Sequence, residues 1–246
     1  MKEPITTVLV IPCFNEELRI IAQDYLDFAC SHPDHLLLFV NDGSTDNTEV
    51  MLQKIISQAT NLKLFSHKQN NGKAEAVRNG IMYAMENYRF RFIGFMDADL
   101  STPLSECLVL EKELEINPHL EIVMGTRVQM LGKIIKRNLV RHWFSRIIAT
   151  LICKVLNEAV YDTQCGAKLF LRSAAEKLFI EKFLSSWLFD VEILARQKLI
   201  TGADNFKFSV KEVPVSEWTE KENSKLHYHS VFRILVDLYK IKKHYF

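Results

Sequence analysis

The chain has 246 residues, 48% of them hydrophobic and 25% charged, and a formal net charge of +1 at pH 7. This composition excludes a disordered or low-complexity chain and gives no global attraction to nucleic acid, so any electrostatic message lies in how the charges are distributed. Five cysteines (Cys13, Cys30, Cys107, Cys153 and Cys165) form no C-x-x-C pair, which speaks against a disulfide framework or structural zinc and for a reducing cytoplasm.

Met1-Lys2-Glu3-Pro4 runs straight into a short apolar stretch without a secretory core region. Val8 to Ile11 reads as a buried strand ending in Pro12-Cys13-Phe14-Asn15. Glu16 to Ala29 has helical spacing. Leu36 to Val40 is a second strand, closed by Asn41-Asp42-Gly43-Ser44, and Thr45 to Ser57 a second helix. Leu62 to Ser66, Gly72 to Asn87 and Arg91 to Met96 continue as strand, helix and strand. Elements that alternate in this way, with strands that are solid apolar runs, predict an α/β fold with a mostly parallel, Rossmann-like central sheet and helices on both faces.

A further strand spans Glu121 to Gly125. From Ile122 through Asn157 there is no acid, yet Arg127, Lys133, Lys136, Arg137, Arg141, Arg146 and Lys154 lie among apolar residues. The apolar run from Ile147 to Leu156 is broken by Lys154 and is too short for a membrane span of about 20 residues. Ala167 to Leu171 reads as a strand, Leu188 to Gln197 as a helix, and Phe206 to Val215 as a strand. His227 to Tyr245 reads as an amphipathic helix with a basic end.

Ligands of open parallel sheets bind beyond the carboxyl ends of the strands. Three polar clusters sit there: Pro12 to Glu17, Asn41 to Thr48, and Asp97 to Thr102. The carboxylates of Asp97 and Asp99 end an apolar strand, and alternation turns both to one side, with small Ala98 between them. Hard Mg²⁺ or Mn²⁺ suits such oxygen ligands, together with substrate phosphates. A D-x-D pair is also a common solvated turn; its place after a buried strand lifts it above that, and the other two strand-end clusters lift it further. Ser44, Thr45 and Asp46 suit a helix cap, which does not account for Asp42. Glu16 and Glu17 near a helix start suit the helix dipole, whereas Lys73 at a helix start opposes it and points to a nearby anion or to solvent.

Taken together, Val10-Ile11-Pro12-Cys13-Phe14-Asn15-Glu16-Glu17, Asn41-Asp42-Gly43-Ser44-Thr45-Asp46, Gly72-Lys73-Ala74 with Arg78-Asn79-Gly80, and Asp97-Ala98-Asp99-Leu100-Ser101 resemble the family-2 glycosyltransferases of GT-A fold. Gly125-Thr126-Arg127, Lys136-Arg137 and Asp162-Thr163-Gln164-Cys165-Gly166 with Lys168-Leu169-Phe170 are similar to the dolichyl- or polyprenyl-phosphate sugar synthases, and most to their glucose branch. The resemblance implies inverting transfer of a hexose, glucose first, from a nucleotide sugar, UDP-glucose first, to a polyprenyl or dolichyl phosphate. It places Pro12, Phe14, Glu16 and Asp42 at the nucleoside, Asp97 and Ala98 at nucleotide and sugar, and Asp99 as leading metal ligand. Arg127 and Arg137 would face the acceptor phosphate, with Arg141 behind them, and Asp162 and Gln164 the sugar. Ser101 stands where mannose-branch relatives often carry a further metal-contacting Gln, and the Gln-x-x-Arg-Trp motif of polymer synthases is absent.

A phosphate monoester, with a second pKa of about 6, is ionised at neutral pH and attacks without a base. It needs cations, and the acid-free segment offers them. A saccharide hydroxyl, the alternative acceptor, needs a general base such as Asp190 or Glu192. The basic segment is otherwise a solvated helix face, or an interfacial one for a lipid-tailed acceptor, giving peripheral contact at a cytoplasmic membrane face. A nucleotidyltransferase would carry a Gly-rich basic loop after its first strand, which Pro12 to Glu17 is not. A binding module without activity would not need Asp97 and Asp99 intact. The expected organisation is a glycosyltransferase domain over 1–226, divided into a nucleotide-sugar half (1–117) and an acceptor half (118–226), then an amphipathic helix over 227–246.

Overall fold

The computed structural model describes residues 5–136, 139–219 and 230–246. The apolar runs become strands and the periodic segments between them helices: β1 (Thr7–Cys13), α1 (Ala22–Ser31), β2 (His35–Asp42), α2 (Thr48–Ile56), β3 (Leu62–His67), α3 (Lys73–Asn87), β4 (Phe92–Met96), α4 (Glu106–Ile116) and β5 (Ile122–Thr126). After these come β6 (Ile134–Lys136), α5 (Leu139–Leu156), β7 (Ala167–Leu171), α6 (Arg172–Leu178), α7 (Phe189–Thr201), α8 (Ala203–Ser209), β8 (Val210–Pro214), β9 (Glu217–Thr219) and α9 (Ser230–Tyr245). Seven strands form one sheet in the order β3-β2-β1-β4-β7-β5-β8. Its pairs are parallel except that β7 runs antiparallel to both β4 and β5. β6 and β9 form a separate parallel pair.

Strand alternation divides the core between the two faces. Val8, Val10, Leu36, Leu38, Ile93 and Phe95 pack with residues of α3, α5, α6, α7 and α9. Leu9, Ile11, Leu37, Phe39, Phe92 and Met96 pack with residues of α1, α2 and α4. Burying both faces is what the solid apolar runs required. β7 leaves no room for a side chain at Gly94 of β4: a Cβ there would lie 2.1 Å from the Lys168 carbonyl oxygen.

Two segments depart from the expected elements. The first helix was expected from Glu16 but begins at Ala22. The N–H groups of Asn15, Glu16 and Glu17 donate to Ser44 Oγ, Thr48 Oγ1 and Asp46 Oδ2, so the start of the segment is tied to the loop after β2 rather than wound into a helix. The expected strand from Phe206 to Val215 is helical up to Ser209 and extended only from Val210. Gly202, at φ +79, ends α7 and starts α8, and Phe208 is 70% exposed where alternation would bury it. Among the described residues no helix is long and apolar enough to cross a membrane.

Candidate active site

The carboxyl ends of β1, β2 and β4 meet at one rim, and hydrogen bonds between loops fix it. Asn15, held at φ +53, accepts from Thr45 N through Oδ1. Asp42 is nearly inaccessible: its Oδ1 accepts from His67 Nδ1 at 2.7 Å and Asn71 N at 3.0 Å, and its Oδ2 from Gly72 N at 2.8 Å. Gly43, at φ +66, lets the 69–70 backbone lie against it, since a Cβ would come within 2.4 Å of the Gln69 carbonyl carbon. Asp42 therefore braces the loop that leads to Lys73.

Lys73 Nζ reaches Asp97 Oδ1 at 2.5 Å, so of the two partners its place at a helix start left open, an anion or solvent, the structure supplies an anion, a carboxylate of this chain. Burial pushes the Asp97 carboxyl upward, but Lys73, with Lys168 and Arg127 behind it, outweighs this and holds it below the ordinary carboxylate value. Burial likewise works against the Lys73 ammonium, and Asp97 and Asp190 reverse the effect, raising it. On the other side of Asp97 lies Gly166, where a Cβ would be 2.0 Å from Asp97 Oδ2. Tyr25 Oη donates to the Ala98 carbonyl at 2.8 Å, holding the acidic loop from below. Asp99 Oδ1 accepts from Ser101 N at 3.0 Å, and its Oδ2 lies 4.0 Å from Arg19 Nη1, whose guanidinium also holds Glu16.

The segment before β7 closes the rim, because an antiparallel strand starts where its neighbour β4 ends. Arg127 makes a forked pair with Asp162, Nε to Oδ2 at 2.6 Å and Nη2 to Oδ1 at 2.8 Å, and its own N–H donates to the same carboxylate at 3.1 Å. The guanidinium also lies 5.2 Å over the Trp218 ring. Removing one partner of so buried a pair typically costs about 3–5 kcal/mol. Lys168, on β7 and 1% exposed, donates to the Cys165 carbonyl at 2.7 Å and lies 2.6 Å from Asp190 Oδ1. Burial pushes the Asp190 carboxyl up, and Lys168 and Lys73 only partly offset this. Gln164 Nε2 is buried without a hydrogen-bond partner among the described residues.

These groups surround a cavity of about 410 Å³. The expected site residues Pro12, Phe14, Glu16, Asp42, Lys73, Asp97, Ala98, Asp99, Arg127, Asp162, Gln164 and Asp190 line it. Glu192, the other candidate base, does not: it is fully buried and accepts from Leu184 N and from Arg196 Nη2. Arg137 lies outside the described residues, and of Arg141 only the backbone is described. Sequence reasoning gave no role to Lys168, Arg146, Tyr161, Arg19 or Gly166. A lysine inside an otherwise apolar buried strand was a readable signal for Lys168; Arg146 was one of seven similar cations, and nothing local marked Arg19. The wall has two chemistries. Carboxylates and polar groups come from the strand ends, and Ile148, Ala149, Ile152, Trp187, Phe189 and Ile234 come from α5, α7, α9 and the segment before α7.

The glycosyl transferase family 2 model matches residues 8–179, which takes in all three strand-end clusters and the segment that closes the rim. The chain belongs to that family. This glycosyltransferase is 32% identical over 248 residues to dolichyl-phosphate beta-glucosyltransferase ALG5C of Trichomonas vaginalis, covering 96% of the chain and 70% of that protein. The dolichyl-phosphate beta-glucosyltransferases of Saccharomyces cerevisiae and Homo sapiens are each 30% identical to it, over 91% and 89% of the chain and 70% and 68% of their own lengths. Glucosyl-3-phosphoglycerate synthase from Mycobacterium tuberculosis superposes with a TM-score of 0.72 in complex with phosphoglyceric acid, over 97% of the chain and 80% of that protein. In complex with Mn²⁺ and UDP-glucose it superposes at 0.68, over 97% and 79%. At 17% and 16% identity this likeness is one of fold, and the glycosyltransferase has the GT-A fold.

Proposed function

We propose that the chain transfers glucose, with inversion, from UDP-glucose to the phosphate of a dolichyl or other polyprenyl phosphate. The divided cavity wall carries this reading: a phosphate on an apolar chain needs a polar floor for its head and an apolar wall for its tail. The dolichyl-phosphate beta-glucosyltransferases that resemble the chain over about nine-tenths of its length or more support it.

In this reading the rim formed by Pro12, Phe14, Glu16 and the Asp42-braced loop takes the nucleoside, and Asp97 and Ala98 flank diphosphate and sugar. Gln164 Nε2 is placed to donate to a sugar hydroxyl. The cavity is lined by six carboxylates and four cations among the described residues, so its polar half alone would repel a diphosphate. A divalent cation relieves that repulsion. Asp99 fits the task, because Mg²⁺ or Mn²⁺ can take one protein carboxylate and otherwise keep substrate oxygens and water. Asp97 is engaged by Lys73, and no group of three or more acidic, His or Cys side chains among the described residues could hold a metal without substrate. Such a cation, when bound, offsets charge on the departing diphosphate. The chain's own residues hold donor and acceptor in line, and Lys168 fixes Asp190 at the cavity wall. An ionised phosphate acceptor takes no proton to Asp190.

Contact with a membrane surface fits the same reading. A second groove between α5 and α9 is lined by Leu151, Val155, Leu235, Leu238 and Tyr239, with Lys154 and Lys242 beside them. Apolar side chains flanked by lysines suit an anionic lipid interface.

The test is a purified-enzyme assay with UDP-glucose, Mn²⁺ and dolichyl phosphate, in which we expect a β-linked glucosyl lipid phosphate. Transfer to a saccharide hydroxyl with none to the lipid phosphate would replace this reading.

A further inference from the structure

We propose that Arg146 is a guanidinium that meets the acceptor's phosphate, and that Glu212 positions it through the backbone of residues 161–162. The inference rests on the lipid-phosphate reading above and deepens it. Each other cation lining the cavity among the described residues is matched to an acid: Lys73 to Asp97, Arg127 to Asp162 through both arms of its fork, and Arg19 to Glu16 with Asp99 at 4.0 Å. Arg146 differs. It lines the same cavity from α5 and, among the described residues, pairs with no carboxylate. Its Nη1 donates to the Tyr161 carbonyl at 2.8 Å, and its Cζ lies 3.9 Å over the Tyr161 ring. Both partners hold the group in place and leave its positive charge uncancelled. A planar guanidinium fixed on an aromatic face, with donors still available, suits a phosphate.

The helix supplies the rest of the acceptor's chemistry. Ile148, Ala149 and Ile152 follow Arg146 on α5 and line the same cavity, so a carbon chain leaving the phosphate meets apolar wall. Glu212, on β8, accepts from Tyr161 N through Oε2 and from Asp162 N through Oε1, both at 2.8 Å. One carboxylate therefore sets the platform under Arg146 and the clamp on Arg127. Glu212 touches neither substrate in this arrangement and is a positioning residue.

Initial rates with the full chain, UDP-glucose and a polyprenyl phosphate test the proposal. Arg146→Gln is expected to raise KM for the lipid phosphate at least about tenfold, the scale of a lost charge-assisted hydrogen bond, with KM for UDP-glucose within about twofold. Arg146→Lys, which keeps charge but loses the fork, should fall between that variant and the native chain. Glu212→Gln should shift the acceptor KM the same way, by less, with calorimetric UDP affinity unmoved. Thermal melts show which variants fold, and if Arg146→Gln does not, Arg146→Lys decides by a rise of at least about threefold in acceptor KM. An unchanged acceptor KM overturns the proposal. So does a matching rise in donor KM, which would assign Arg146 to the donor diphosphate. Failure of the lipid-phosphate reading itself is distinguishable, because the native chain would then not use polyprenyl phosphate at all.

Discussion

Asp97 and Asp99 are two positions apart and have different partners. Asp97 sits between an ammonium and a glycine that leaves room for its carboxylate, and Asp99 presents an oxygen toward Arg19 at the cavity. The sequence marks both acids but not this division, because Lys73 and Gly166 arrive from α3 and from the segment before β7. Asp99→Ala is expected to lower Mn²⁺-dependent UDP affinity by more than about tenfold in calorimetry, as a lost metal ligand would. Native affinity for UDP with Mn²⁺ in that variant would remove Asp99 from the metal. Arg127 shows the same limit of local reading. Its residue type suggests a phosphate, whereas its geometry commits the fork to Asp162, thirty-five residues away.

At the scale of elements, apolar runs set the strands well, because a short segment apolar on both sides is stable only as a strand covered on both faces. Ala167 to Leu171 forms a strand with the expected bounds. Where polar side chains compete for backbone N–H groups, as between 15–17 and 44–48, periodicity misleads, and α1 starts late. A second set of polar contacts joins elements at the opposite end of the sheet. His35 of β2 contacts Glu111 of α4 at 2.9 Å through Nε2 and Asp34 at 3.0 Å through Nδ1, and Thr7 of β1 donates to Glu111 as well. Burial works to lower the His35 pKa, but Glu111 and Asp34 outweigh it and raise it above 6.5. A raised folded pKa gives stability that is complete below the unfolded value, about 6.5, and is lost as pH rises through the folded value. Melting temperature should therefore fall as pH rises from about 6 through that range, and His35→Gln should remove this part of the dependence. An identical pH profile in the variant would exclude His35 as its source.

At the scale of the whole molecule, the sheet takes strands from both sides of residue 117, and β7 stitches them together. This order was not legible: alternating strands and helices imply parallel neighbours, and nothing in Ala167 to Leu171 announces a strand inserted backwards between β4 and β5. The reversal brings residues 162–166 to the same rim as Asp97 and so completes the cavity. It also sets a sequence of events during synthesis. Phe92 pairs with Leu171 and Met96 with Ala167, so β4 has a bare apolar edge until the ribosome has gone well beyond the three strand-end clusters. A chain ended at Asn157 should accordingly accumulate in the insoluble fraction, and a soluble monomer by light scattering would contradict this. The hydrogen bonds that cover this edge also deliver Gly166 and Gln164 to the rim. If Gln164 holds the donor sugar as proposed, a nascent chain able to grip that sugar has already hidden the edge through which it would otherwise have aggregated.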